Sequence, residues 1–113
     1  TNRRELPENH VIRQVYRDLE DNYRDSGITL AGMAKKYYVN SSFLCRLFKQ
    51  ETGVNFSNYL MRIRIDRATE LLKEGHYKIY EIAELVGIPD ANYFSKCFKK
   101  ITGVSVRDYQ ESI

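Results

Sequence analysis

The chain has 113 residues, 42% of them apolar, and a formal charge of +3; that is enough for one domain, or for two very small lobes that share a core. No apolar run approaches the roughly 18 residues that span a membrane. The polar start TNRRELPEN has no signal-peptide core, so a cytoplasmic location is expected. The two cysteines, Cys45 and Cys97, have no second cysteine or histidine at zinc-ligand spacing, which argues against a disulfide framework and a structural metal.

In chain order, Ile12, Val15, Tyr16, Leu19 and Tyr23 recur at intervals of three and four, the stripe of a helix over residues 11–23, preceded by Pro7 and ended by Ser26 and Gly27. Thr29 is a natural N-cap for a short second helix facing inward through Leu30, Met33, Ala34 and Tyr37. A third helix is expected over residues 41–51, with Leu44, Leu47 and Phe48 inward and Gly53 just beyond its end. The longest pattern runs over residues 56–73, with Asn55 as cap and Phe56, Tyr59, Leu60, Ile63, Ala68, Leu71 and Leu72 as the core stripe, stopped by Gly75. A second short pair follows, carried by Ile79, Ile82, Ala83 and Val86 and then by Phe94, Cys97, Phe98 and Ile101, before a last helix from about Ser105. No stretch alternates with period two, so the fold class is all-α, with about seven helices.

The sequence also repeats itself. Residues 43–59, FLCRLFKQETGVNFSNY, match residues 93–109, YFSKCFKKITGVSVRDY, at an offset of fifty. Two copies are too few for a solenoid. Each copy has two short helices about a tight turn, with Ala34 or Ala83 where they would cross, which describes a helix-turn-helix. Ala34 to Leu44 is ten positions and Ala83 to Phe94 is eleven, so the second turn carries one extra residue. Gly87 in that turn takes positive φ freely, whereas Tyr38 would do so at a cost. The division expected is an N-terminal helix packing on the first lobe (1–27), a first helix-turn-helix (28–54), a linker helix (55–75), and a second helix-turn-helix with a final helix (76–113).

Core positions on the second helix of each pair leave a small, polar, basic face pointing away. It holds Ser42, Cys45, Arg46 and Lys49 in the first copy, and Asn92, Ser95, Lys96 and Lys99, with Lys100 beside it, in the second. Residues 1–26 contain five arginines and six acids, leaving the other 87 residues at +4; residues 41–50 and 91–100 carry basic residues and no acid. Arginine and lysine donate to guanine O6 and N7, asparagine pairs with adenine, and small side chains let a helix sit deep in the major groove. A solvated surface accounts for one such face about as well as a DNA reader does; it accounts for two matching faces poorly. A linker of about 18 residues, at roughly 1.5 Å per residue, would let one chain place two reading helices about one DNA turn apart.

On these residues the chain resembles the AraC/XylS family of bacterial transcription regulators, over about residues 28–110. The resemblance is carried by residues 43–59, by Arg64, Ala68, Leu71 and Leu72, and by EIAELVGIPDANYFSKCFKKITG at 81–103. It implies two recognition helices in successive major grooves of promoter DNA and a regulator that is mostly an activator contacting RNA polymerase. By the same resemblance, base-reading positions fall on Ser42, Cys45, Arg46, Ala91, Asn92, Ser95 and Lys96, and phosphate contacts on Ser41, Lys49, Lys99 and Lys100. The chain departs from the family pattern at Ile88, Lys96, Val106 and Gln110, where phenylalanine, arginine, proline and arginine are usual. Lysine at 96 lacks the planar fork for bidentate guanine reading. Family members carry a second, regulatory domain, and ENHVIRQVYRDLEDNY with KIYEIAELVG is most similar to members that follow a phosphorylated receiver domain.

Other classes fit less well. No nucleophile and base constellation, glycine-rich phosphate loop or paired carboxylates appear, so neither an enzyme nor a cofactor is expected. His10 and His76 read as surface residues, Cys45 as a small groove-facing residue and Cys97 as core. The nine tyrosines read mainly as packing rather than single-strand stacking, since Tyr16, Tyr37 and Tyr59 lie on core stripes. The remaining alternative is a helical protein-interaction module docking an acidic partner such as RNA polymerase.

Overall fold

The computed structural model describes residues 9–113, so Pro7 lies outside the described residues. It contains seven helices among those residues: α1 (His10–Asn22), α2 (Leu30–Lys36), α3 (Ser41–Thr52), α4 (Phe56–Glu74), α5 (Ile79–Leu85), α6 (Ala91–Thr102) and α7 (Val106–Ser112). The caps explain most boundaries. Side-chain oxygens of Thr29, Asn40, Asp90 and Ser105 accept from backbone N–H groups of Gly32, Phe43, Tyr93 and Asp108, satisfying donors that a helix start leaves unpaired. Asn55 does the same for Asn58 N at 2.8 Å. The α5 start is held differently, by Lys78 N–H donating to Glu81 Oε1 at 2.7 Å.

The described residues form two compact units, one of residues 9–22 and 27–60 and the other of residues 23–26 and 61–113. In the first, Ile12, Val15 and Leu19 of α1 are buried with Met33, Ala34, Leu44, Phe48, Phe56 and Leu60. Phe48 is the centre: its ring meets Tyr16, Phe56 and Tyr59 edge-on at 6.1, 5.6 and 5.6 Å, while Tyr16 and Tyr59 stack at 4.9 Å. Such pairs contribute about 0.5–1.5 kcal/mol each beyond burial. A polar tie joins α1 to the end of α2, where the Asp18 carboxylate accepts from Lys36 Nζ at 2.7 Å and from the Tyr37 hydroxyl. Burial pushes the Asp18 carboxyl up, but the hydrogen bonds from Lys36 and Tyr37, with the Lys36 charge, outweigh it and hold it below the ordinary carboxylate range.

The core of the second unit is built from Ile65, Ala68, Leu71, Leu72, Ile82, Ala83, Val86, Ile88, Phe94, Cys97, Phe98 and Val106. Ile88 and Val106, both departures from the family pattern, are therefore core residues, and Ser105 caps the helix that Val106 begins. One expectation for α4 needs correction. Ile63 is only half-buried, whereas Arg64 and Ile65 are buried. The helix serves the first unit through Phe56 and Leu60 and the second through Ile65, Ala68 and Leu72, so a single stripe does not describe it.

Candidate nucleic-acid interface

The two short-helix pairs share one turn geometry. Val39 N–H donates to Ala34 O and Ile88 N–H to Ala83 O, both at 2.9 Å, with Tyr38 and Gly87 between them at φ 58° and 91°. Tyr38 does adopt the left-handed conformation expected to be costly there, and its side chain is 95% exposed. After Val39 the next residue, Asn40, caps α3; after Ile88 comes Pro89, and only then the cap Asp90. Pro89 is thus the extra residue of the second turn. The two second helices then end alike. Gly53 and Gly103 donate to Lys49 O and Lys99 O from left-handed backbone, and the Thr52 and Thr102 hydroxyls accept from Val54 and Val104 N–H at 3.2 Å.

Both ends of each helix are therefore fixed, and its rotation is fixed by buried pairs, Leu44 with Phe48 and Phe94 with Phe98. What remains outward is the face read from the sequence. On α3, Ser41, Ser42, Cys45, Arg46 and Lys49 are exposed; on α6, Asn92, Lys96, Lys99 and Lys100 are exposed, and Ala91 and Ser95 are half-buried. Neither face includes an acid, so each is a patch of one sign, which attracts polyanions.

Sequence reasoning missed one cation. Arg107, in the first turn of α7, lines an open cleft of about 640 Å³ together with Lys96, Lys99 and Lys100. Ile79, Ser95, Ser105 and Val106 complete its walls. Arg107 falls outside the repeated helix, and only the packing of α7 beside α6 brings it to the lysines. Among the described residues, no group of His, Cys, Asp and Glu is arranged to hold a metal ion, and no helix is long and apolar enough to cross a membrane.

Comparison with known proteins gives this geometry a family. A helix-turn-helix domain family matches residues 33–112. The fold is similar to the C-terminal domain of AraT, a response regulator from Geobacillus stearothermophilus, with a TM-score of 0.91 and 34% identity over 97% of this chain and 89% of that one. The chain belongs to the AraC-type helix-turn-helix family. A second AraC-type structure, the C-terminal domain of the two-component response regulator YesN from Fusobacterium nucleatum, has a TM-score of 0.85 and 34% identity, covering 90% of this chain and 99% of that one. Among curated AraC-type relatives, the uncharacterized transcriptional regulatory protein YesN of Bacillus subtilis is 36% identical over 103 residues, which is 88% of this chain but 28% of the relative. The chain spans between about a quarter and two fifths of the length of the curated relatives it matches.

Proposed function

We propose that this chain is the sequence-specific duplex-binding part of a bacterial transcription regulator, with α3 and α6 as its two reading helices. The observation that carries the reading is the duplicated, acid-free outward face on two helices whose ends and rotation are fixed in the same way. In it, Ser42, Cys45, Arg46, Ala91, Asn92, Ser95 and Lys96 face bases and specify sequence, while Ser41, Lys49, Lys99 and Lys100 contact phosphates and position the helices. The outward residues differ between copies except at Lys49 and Lys99, so the two helices read different base sequences. At 19 residues, α4 is about 28 Å long, which favours simultaneous engagement of successive major grooves. In the full-length protein a regulatory domain controls this part, and activation proceeds through RNA polymerase.

Selection of bound duplexes from a random pool tests the reading. It should return two conserved segments, with log affinity falling steeply against log salt as phosphate contacts release counterions. Salt-independent behaviour with no enriched sequence would instead favour docking of an acidic protein.

A further inference from the structure

Residues 23–26 follow α1 directly in the chain, yet they are part of the second compact unit. Arg64 of α4 holds them there. Its guanidinium is buried, only 7% of the residue being exposed, and it donates from Nε to Tyr23 O and from Nη2 to Asp25 O, both at 2.8 Å. The same place abuts the α5–α6 turn. A Cβ on Gly87 would stand 2.6 Å from Tyr23 O, 3.0 Å from Arg24 O and 3.0 Å from Arg64 Nε. Burial lowers the Arg64 pKa, while the negative charge of Asp25 acts in the opposite sense.

Capping the carbonyls after α1 needs no buried arginine, since water or a surface lysine serves at most helix ends. Burying a guanidinium against a turn whose residue has no room for a side chain is a more costly arrangement. The first copy lacks it: Tyr38, at the position equivalent to Gly87, is 95% exposed.

We infer that residues 23–26 form a strap on the second helix pair, with Arg64 as the positioning residue that seats the strap against Gly87 and sets how α6 presents Asn92, Ser95 and Lys96. This rests on the duplex-reading function proposed above. Because the first turn has no such support, the effect is confined to one half of the bound sequence.

The test compares sequence selection from a random duplex pool by the parent chain and by Arg64→Lys. An ammonium replaces the planar fork that spans both carbonyls with a single point of donation. Base preference in the α6 half should fall by about fivefold or more, the loss of at least one good base contact, while the α3 half keeps its preference. Equal loss in both halves, or no loss in a folded variant, overturns the strap. If Arg64→Lys does not fold, Asp25→Gly carries the same test, since it loosens an exposed segment without touching the core. Failure of the parent chain to select any sequence overturns the duplex reading instead, so the two failures are distinguishable.

Discussion

Replacing Gly87 by alanine should destabilise the protein much more than replacing Gly103. Both glycines have left-handed backbone, with φ 91° and 85°. At Gly103 an added Cβ meets nothing within 4 Å. The penalty there is conformational, about 1 kcal/mol, which lowers the melting temperature of a chain of this size by about 4–6 °C. At Gly87 the same penalty applies, and the Cβ also lies 2.6 Å from a backbone carbonyl oxygen that cannot rotate away. The segment must move, and with it the two hydrogen bonds donated by Arg64, each worth about 1.5–3 kcal/mol because the donor is charged. If even one is lost, the total reaches about 3 kcal/mol, or roughly 12 °C or more. Thermal unfolding of the parent and both variants, followed by circular dichroism at one concentration, gives the comparison. Equal melting temperatures for the two variants would mean that residues 23–26 do not occupy the space beside Gly87.

Four further outcomes follow from the packing and from the outward faces. Phe48→Ala should cost about 3–5 kcal/mol in chemical denaturation, because its ring touches three others. Arg46→Ala should relax base preference in one half of the selected site by about 1–3 kcal/mol per lost contact, whereas Lys99→Ala should weaken all duplexes alike and flatten the salt slope by about one. In thiol labelling of the native protein, exposed Cys45 should react at once and buried Cys97 only as the chain unfolds. Asp18→Asn probes a carboxylate whose folded pKa lies below its unfolded value near 3.9. The stabilisation is present above that value and is lost as pH falls through the folded pKa, so the stability gap between parent and variant should be constant near neutrality and shrink below about pH 4.

The helices were legible because apolar spacing, caps and glycine stops coincide in nearly every element: Thr29, Asn40, Asp90 and Ser105 are all good capping residues, and Gly53, Gly75 and Gly103 stand just past helix ends. The outward faces followed, since once Leu44 and Phe48 point inward, helix geometry leaves Ser42, Cys45, Arg46 and Lys49 no choice. Arg64 was not legible as a buried residue. A charged side chain between Ile63 and Ile65 reads as an interruption of the stripe, and its burial depends on carbonyl groups about forty residues earlier, which leave no trace in side-chain pattern. The same is true of Gly87: the sequence marks it as a turn glycine, but the carbonyl pressing on it comes from backbone remote in the chain. Arg107 escaped notice for a related reason, because its place beside Lys96 and Lys99 is set by the packing of α7.

The contrast between Tyr38 and Gly87 bears on how freely the two halves of the molecule can diverge. At position 38 the side chain projects into solvent, so many residue types fit at a strain of about 1 kcal/mol, and asparagine or glycine would relieve it. At position 87 only the residue without a Cβ fits, whatever its neighbours. Saturation of both positions should yield a broad spectrum of functional replacements at the first and a nearly empty one at the second. One turn of this duplicated protein is open to drift, and the other is locked by a stretch of backbone that its own repeat does not contain.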